Sequence, residues 1–364
     1  MLDLAARVWL ASTADSILRS GQANQRQLGD FFVTIKKPFT RRQFLLISLT
    51  VAGGLSCTAL NRSSAKAAVT TDGSSIYLPL IVQQRRLLKG WQLNELNTGL
   101  AGVGVDRSAL PLYTGSDTPA DGAVIREVRI EKQLDLSAGT VTLERCWIRP
   151  LSISRGLPII WNYNRDTGSV LPTCAWIRDC DIDCTAVPSA DIGWSAAFGG
   201  SGVIERCHIW GSGTGLWLRG VSPIAIRAEE NYIHGLRHSP PDSHQDGMTL
   251  RDYSGPGASL LNNRIDSSSE SETGPLFLQA GFGHIDNVHI EGNLLEGNAW
   301  KLVLEANTYG YGPNMRAINN RFRNTGYGAA YVTGGPGWAE WRGNYLDDPT
   351  QINHRGALVS QPLP

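Results

Sequence analysis

One short pattern recurs eight times along the chain: an apolar residue, two residues of any kind, Cys or Asn, one more residue, and a second apolar residue. It begins as Leu143-Glu-Arg-Cys146-Trp-Ile148, Ile177-Arg-Asp-Cys180-Asp-Ile182 and Ile204-Glu-Arg-Cys207-His-Ile209. The Asn copies centre on Asn231, Asn263, Asn293, Asn320 and Asn344. Successive steps of 34, 27, 24, 32, 30, 27 and 24 residues identify a solenoid, in which each copy is one coil. Each copy reads as a short strand, a tight turn and another short strand. Asn at the turn tolerates a left-handed backbone. With coils ~4.8 Å apart, one column of Asn would form a ladder of side-chain amides, continued by three stacked Cys.

A second column lies between the copies. Gly215-Leu-Trp-Leu218, Gly247-Met-Thr-Leu250, Pro275-Leu-Phe-Leu278 and Lys301-Leu-Val-Leu304 alternate as half-buried strands do. Leu216, Met248, Leu276 and Leu302 should face inward, with Leu218, Leu250, Leu278 and Leu304. Three strands per coil make an all-β chain, a parallel β-helix of about 8–9 coils, and parallel crossovers are right-handed by default. The 40 Gly and 18 Pro then belong largely to turns between strands. The expected layout is an N-terminal cap over residues 68–120, the β-helix over 121–348 and a polar tail over 349–364.

Ahead of the cap, Thr40-Arg41-Arg42-Gln43-Phe44-Leu45 opens an apolar run to Leu60, and Ala65-Lys66-Ala67 follows. Basic, apolar and small residues in that order read as a cleaved export signal of twin-arginine type, preceded by a long leader, over residues 1–67. The expected location is therefore secreted or at the cell surface, with no membrane span in the mature form. Residues 1–67 carry nine Lys and Arg against three Asp, so the remainder holds 24 basic and 30 acidic residues, a net charge of −6. No basic footprint for nucleic acid remains.

The stretches Asn97-Thr-Gly-Leu-Ala-Gly-Val-Gly104, Val141-Thr-Leu-Glu-Arg-Cys-Trp-Ile148, and Asn231-Tyr-Ile-His-Gly235 with Asp242-Ser-His-Gln-Asp-Gly247 give residues 97–348 a resemblance to the pectate-lyase-like superfamily of right-handed β-helix proteins. The resemblance implies the fold and a carbohydrate polymer as partner. It does not imply one reaction, because the fold hosts lyases, hydrolases, epimerases and binding proteins. The catalytic signatures of polygalacturonases and classical pectate lyases are missing, and Asp-Ser-His-Gln-Asp differs in spacing from the alginate-epimerase motif.

Outward residues beside the second column are Arg219, Arg251, Gln279, Glu305 and Thr333, preceded by Trp217, Thr249, Phe277, Val303 and Tyr331, with Lys301 one step earlier. Arg and Lys beside aromatic rings suit a sugar polymer carrying carboxylates. Arg219, Lys301, Glu305, Trp217, Tyr331 and His238 are the expected substrate contacts. Arg219 and Arg251 should occupy neighbouring rungs, either holding a carboxylate together or pairing with Asp252 and Glu305.

The insertion from His234 to Asp252 holds three of the seven His, with Asp242 and Asp246 around His244. Three readings stand. His244, oriented by Asp242 or Asp246, is a general base with Arg251 neutralising the substrate carboxylate. Alternatively Asp242, His244 and Asp246 hold a divalent ion such as calcium. Or these polar groups only fix the loop. Asp179, Asp181 and Asp183 read as a solvated or calcium-attracting edge, and Cys174 with Cys184 as a candidate disulfide. The favoured function is a polysaccharide lyase acting on a uronate polymer. Its rivals are a non-catalytic carbohydrate-binding module and a glycoside hydrolase using Glu305 with Asp252 or Asp246 as the two carboxyl groups.

Overall fold

The computed structural model describes residues 87–364, apart from Ser222, Asp242, Ser254, Glu270 and Ser271. It also assigns a separate three-stranded sheet to Phe32–Thr34, Lys66–Thr71 and Ser74–Pro79. The twin-arginine pair and the apolar run to Leu60 lie outside the described residues.

The described unit is a right-handed parallel β-helix with three sheets. The first sheet stacks nine strands, from Val124–Arg126 to Glu340–Arg342. The second follows each tight turn and runs from Arg129–Ile130 to Tyr345–Asp347. The third stacks eight strands, from Leu134–Asp135 to Gly328–Thr333. Nine coils therefore exist, one more than the repeat shows. The first coil, Ile125-Arg-Glu-Val128-Arg-Ile130, has Val where later coils have Cys or Asn. Both inner columns of the third sheet are as expected: Leu216, Met248, Leu276 and Leu302 lie on successive rungs, as do Leu218, Leu250, Leu278 and Leu304, all fully buried.

The amide ladder is continuous. Nδ2 of Asn231, Asn263, Asn293 and Asn320 each donates to Oδ1 of the Asn one coil further on, at 2.9–3.1 Å. The same Nδ2 groups donate to the carbonyls of Ile204, Ala228, Leu260 and Ile290. The left-handed residue, however, is not the ladder Asn. It is the residue before it: Arg145, Asp179, Arg206, Glu230, Asn262 and Asn319, all with φ between 52° and 56°, then Gly292 and Gly343. The ladder residue has ordinary backbone geometry, and its side chain turns inward to tie coils together. Cys146, Cys180 and Cys207 continue the column as buried free thiols, and Cys174 and Cys184 are free too, so the candidate disulfide is not formed.

The N-terminal segment departs from a simple cap. Residues 88–91 climb from the Glu230 coil towards the last coils, and residues 91–110 then run back as a strap along the outside of the second sheet to the first coils. Arg321 is fully buried and stacks on Trp91, 4.4 Å from its ring. Gly90 donates to the Gly292 carbonyl, Arg264 to the Leu93 carbonyl, and Gly99 to the Arg206 carbonyl. Leu93 and Leu100 are buried beneath the strap. Gly99 allows this approach, because a Cβ there would lie 2.0 Å from Asp181 Oδ1. Only the chain after Leu110 closes the first coil, with Tyr113 donating to the Arg129 carbonyl and Asp117 accepting from Asp135. The C-terminal residues are no free polar tail either. Arg355–Leu358 pairs antiparallel with the last second-sheet strand, and Val359 donates to the carbonyl of Asn344, covering the final edge.

Ion pairs, one of them to the strap, explain three acidic residues. Asp179, Asp181 and Asp183 are buried and paired with Arg206, Arg107 and Arg149, not arranged as a solvated or ion-binding edge. Asp181 also accepts from the amide of Leu100 at 3.0 Å. Burial nonetheless raises its pKa to about 6, against opposing effects of the Leu100 amide and Arg107. Beside it, His208 meets His234 with Nε2 atoms 2.8 Å apart, stacked with Tyr232. Burial, then the proximity of His234 and Arg107, lowers the pKa of His208 to about 3.

These groups have opposite pH linkage. The folded pKa of His208 is depressed, so its contribution to stability is full above 6.5 and is lost as pH falls towards 3. The folded pKa of Asp181 is raised, so stability increases as pH falls from about 6 to 3.8. Each slope is roughly 1.4 kcal/mol per pH unit, and the two nearly cancel between about pH 6 and 4. His234, also lowered by burial, tips the balance towards loss. The protection factors of the Gly99 and Leu100 amides, that is, exchange corrected for its intrinsic slowing in acid, are expected to fall only gently down to about pH 4, then steeply. A steep fall already beginning near pH 6.5 would show that Asp181 supplies no offset.

Candidate functional site

A cleft of about 300 Å³ opens on the outer face of the third sheet. Its floor comes from strands Ala196–Gly200, Thr214–Gly220 and Gln245–Tyr253, through Ala196, Thr214, Asp246, Thr249 and Arg251. The loops before and after the sheet add Pro158, Trp194, His244 and Phe282 as walls. Alternation along the strands puts Trp217 and Thr249 outward on adjacent rungs, opposite the buried leucines.

The structure brings together four of the expected residues: His244, Asp246, Arg251 and Trp217 line this cleft. His244 is exposed, and its Nδ1 lies 3.2 Å from Thr273 Oγ1. Among the described residues Thr273, rather than Asp246, is thus the side chain hydrogen-bonded to His244. Asp242 lies outside the described residues. Asp246 is 3% exposed, and burial pushes its carboxyl above the usual aspartate range although Arg251 and His244 oppose this. Its Oδ2 lies 3.5 Å from an Arg251 nitrogen, while Oδ1 has no hydrogen-bond partner among the described residues.

Arg251 is held on several sides. It donates to Thr249 Oγ1 at 3.1 Å and to the side-chain oxygen of Gln279, and lies over the Phe277 ring. Gln279 donates in turn to Glu305 at 2.7 Å. Glu305 therefore reaches the cleft only through a relay of side chains. Arg219 is not the rung neighbour of Arg251. A register shift after Leu218 pairs Arg219 with Asp252 instead. The guanidinium bonds the Asp252 carboxylate at 3.0 Å and lies over Trp217 and Phe282, behind the cleft wall.

Two expectations on this strip need correction. Lys301 is fully buried and donates to the Ala299 carbonyl, so it does not face the outer strip. Its column turns inward at the corner of the coil: a Cβ at Gly215 or Gly247, on the equivalent rungs, would collide with Ile233 or Ile265. His238 is half-buried beside the Trp194 loop rather than in the cleft, and neither ring nitrogen has a partner among the described residues. Tyr331 is exposed, but it packs on Trp300 further along the sheet.

Trp194, Phe282, Pro158 and Thr273 had no signal in the repeat, because they lie in loops or ahead of the alternating core. Only the tryptophan and phenylalanine could have been singled out, as large apolar residues in polar, Gly-rich stretches. Among the described residues there is no group of three or more metal-ligating side chains, and no helix is long and apolar enough to cross a membrane. Among the described residues Asp246 is the only carboxylate lining the cleft, so the expected hydrolase pairs with Asp252 or Glu305 do not face each other across it. No protein-family profile, curated protein or solved structure matches the chain.

Proposed function

We propose that this chain is an exported, carbohydrate-active β-helix protein of the pectate-lyase-like type, and that its cleft binds an acidic polysaccharide and cleaves it by β-elimination. The observation that carries this reading is the meeting of exposed His244 with Arg251 between the rings of Trp194, Trp217 and Phe282. In such a reaction a base removes the proton beside the uronate carboxylate. The resulting negative charge needs a fixed cation, and the leaving oxygen needs a proton. His244 is the base. Arg251 faces the carboxylate, and Asp246, kept towards its protonated form by burial, is placed to donate. The aromatic walls hold the sugar rings by their apolar faces.

A second reading has specific support. Arg219 and Arg251 already have carboxylate partners and Lys301 is buried, which leaves little uncommitted positive charge for a polyanion. A binding module would need no more than the aromatic cleft. The two readings separate on a panel of uronate polymers followed by ultraviolet absorbance of the unsaturated product. Rising absorbance on one polymer is expected; binding without any rise would replace the lyase with the module. N-terminal sequencing of the exported protein tests the signal: the mature chain should begin after Ala67, and retention of Arg41-Arg42 would refute the export reading.

A further inference from the structure

Among the described residues, every exposed aromatic side chain lies on the third sheet or in the loops beside it. These are Trp194, Phe282, Tyr309, Tyr327 and Tyr331. Outward aromatics on the other two sheets are instead covered by arginines: Trp147 by Arg107, Trp176 by Arg178, Tyr232 by Arg264 and Tyr345 by Arg321. The exposed rings are not scattered. Two belong to the cleft, and the rest lie on later coils, along the axis of the solenoid.

The distal group forms a platform. Trp300 and Tyr331 pack with ring centroids 5.5 Å apart and planes tilted by 30°. Gly328, on the rung next to Trp300, leaves space for the indole, since a Cβ there would lie 2.0 Å from it. Tyr327 precedes that glycine and is 74% exposed. Asp246 of the cleft pairs with Gly274, and Gly274 packs against the Trp300 backbone, so the platform lies two rungs, ~10 Å, beyond the cleft floor. The next charged group along this outward face is Glu305, two residues beyond Val303, the rung partner of Tyr331; its carboxylate accepts from Gln279, and its neighbour on the next rung is Thr333.

We infer that Trp300, Tyr331 and Glu305 form a second sugar-binding site, specific for a neutral pyranose, and that the polymer lies lengthwise along the third sheet. The inference rests on the carbohydrate reading of the cleft. Its basis is charge: Arg251 marks the cleft for an acidic residue, whereas a carboxylate beside the platform repels uronate and accepts hydrogen bonds from hydroxyls. The rung spacing is close to the length of a pyranose, so consecutive sugars keep step with the coils. The substrate class that satisfies both sites is a mixed polymer, with uronate and neutral sugars in one chain.

Calorimetric titration of the full chain with oligosaccharides of increasing length, from gellan, whose linear backbone has one uronate in every four sugars, and from polygalacturonate, tests this. Gellan fragments long enough to span both sites should bind more tightly than polygalacturonate fragments of equal length. Tyr331→Ala should weaken the long gellan fragments about 5–10-fold, the worth of one stacked ring, and leave the shortest unchanged. Glu305→Gln should narrow the preference over polygalacturonate. Tyr331 is partly exposed, and an unchanged melting temperature would show that the variant folds. Equal loss at all lengths, or no loss at any, overturns the distal site while leaving the cleft reading intact. No binding of either series to the unmodified protein overturns both.

Discussion

Replacing Asn293 by leucine is expected to destabilise the β-helix by about 3–5 kcal/mol, although the volume changes little. The Asn293 side chain donates to the Leu260 carbonyl at 2.9 Å and to Asn320 Oδ1 at 2.9 Å. Its oxygen accepts from the Asn263 amide at 2.8 Å and from Asn263 Nδ2 at 3.0 Å. Asn293 is fully buried, so water cannot replace these partners. A leucine would strand the Asn263 amide and the Leu260 carbonyl, and leave Asn263 Nδ2 with the Ala228 carbonyl as its one remaining partner. Each orphaned buried group costs about 1–3 kcal/mol. Each coil contacts only its neighbours, so the loss should appear first as exchange of amides in the coils nearest residue 293. Urea unfolding would measure the total. A loss below about 1 kcal/mol would mean that leucine packing holds the coils and the ladder only fixes their register.

The same ladder shows what the sequence made legible. Spacing alone located eight of nine coils, because an interior with one side chain per rung forces the same residue type into the same place. The first coil escaped because Val128 is only partly buried at the end of the stack and has no preceding ladder amide to satisfy. The positions before the ladder were misjudged for a related reason. The left-handed backbone falls on Arg145, Asp179, Arg206 and Glu230 as readily as on Asn262 or Gly292, so residue type does not reveal it. The strap was invisible to periodicity: Leu93, Leu100 and Trp91 follow no strand or helix repeat, and their burial depends on partners far along the chain.

The site was legible in part, and its errors share one cause. Strict alternation from the inner leucines placed Arg219, Arg251 and Lys301 on one strip. A single register shift at Leu218 moved Arg219 onto Asp252, and the corner of the coil turned Lys301 inward. Such irregularities arise from packing between coils and leave the strand's own pattern unchanged. The insertion around His244 was informative because it broke the regular step between ladder positions, and polar residues in an irregular loop over a sheet face are where ligands are met.

On a polymer that the unmodified protein cleaves, His244→Ala is expected to lower kcat by about 10²–10⁴, the usual contribution of a general base, with little change in KM. The imidazole is exposed and, among the described residues, makes one side-chain hydrogen bond, to Thr273, so its removal should leave the melting temperature almost unchanged. Thr273→Val should retain the base and lose only its orientation, giving a smaller fall in kcat than His244→Ala. Asp246→Asn separates base from acid. It keeps the shape and leaves Arg251 held by Thr249 and Gln279, but it cannot protonate the leaving oxygen. Its kcat should fall with little change in affinity for the acidic polymer, because a protonated aspartic acid and an asparagine are both neutral. Full turnover in His244→Ala would remove His244 as the base. Undiminished turnover in Asp246→Asn would restrict the chemistry of the cleft to His244 and Arg251.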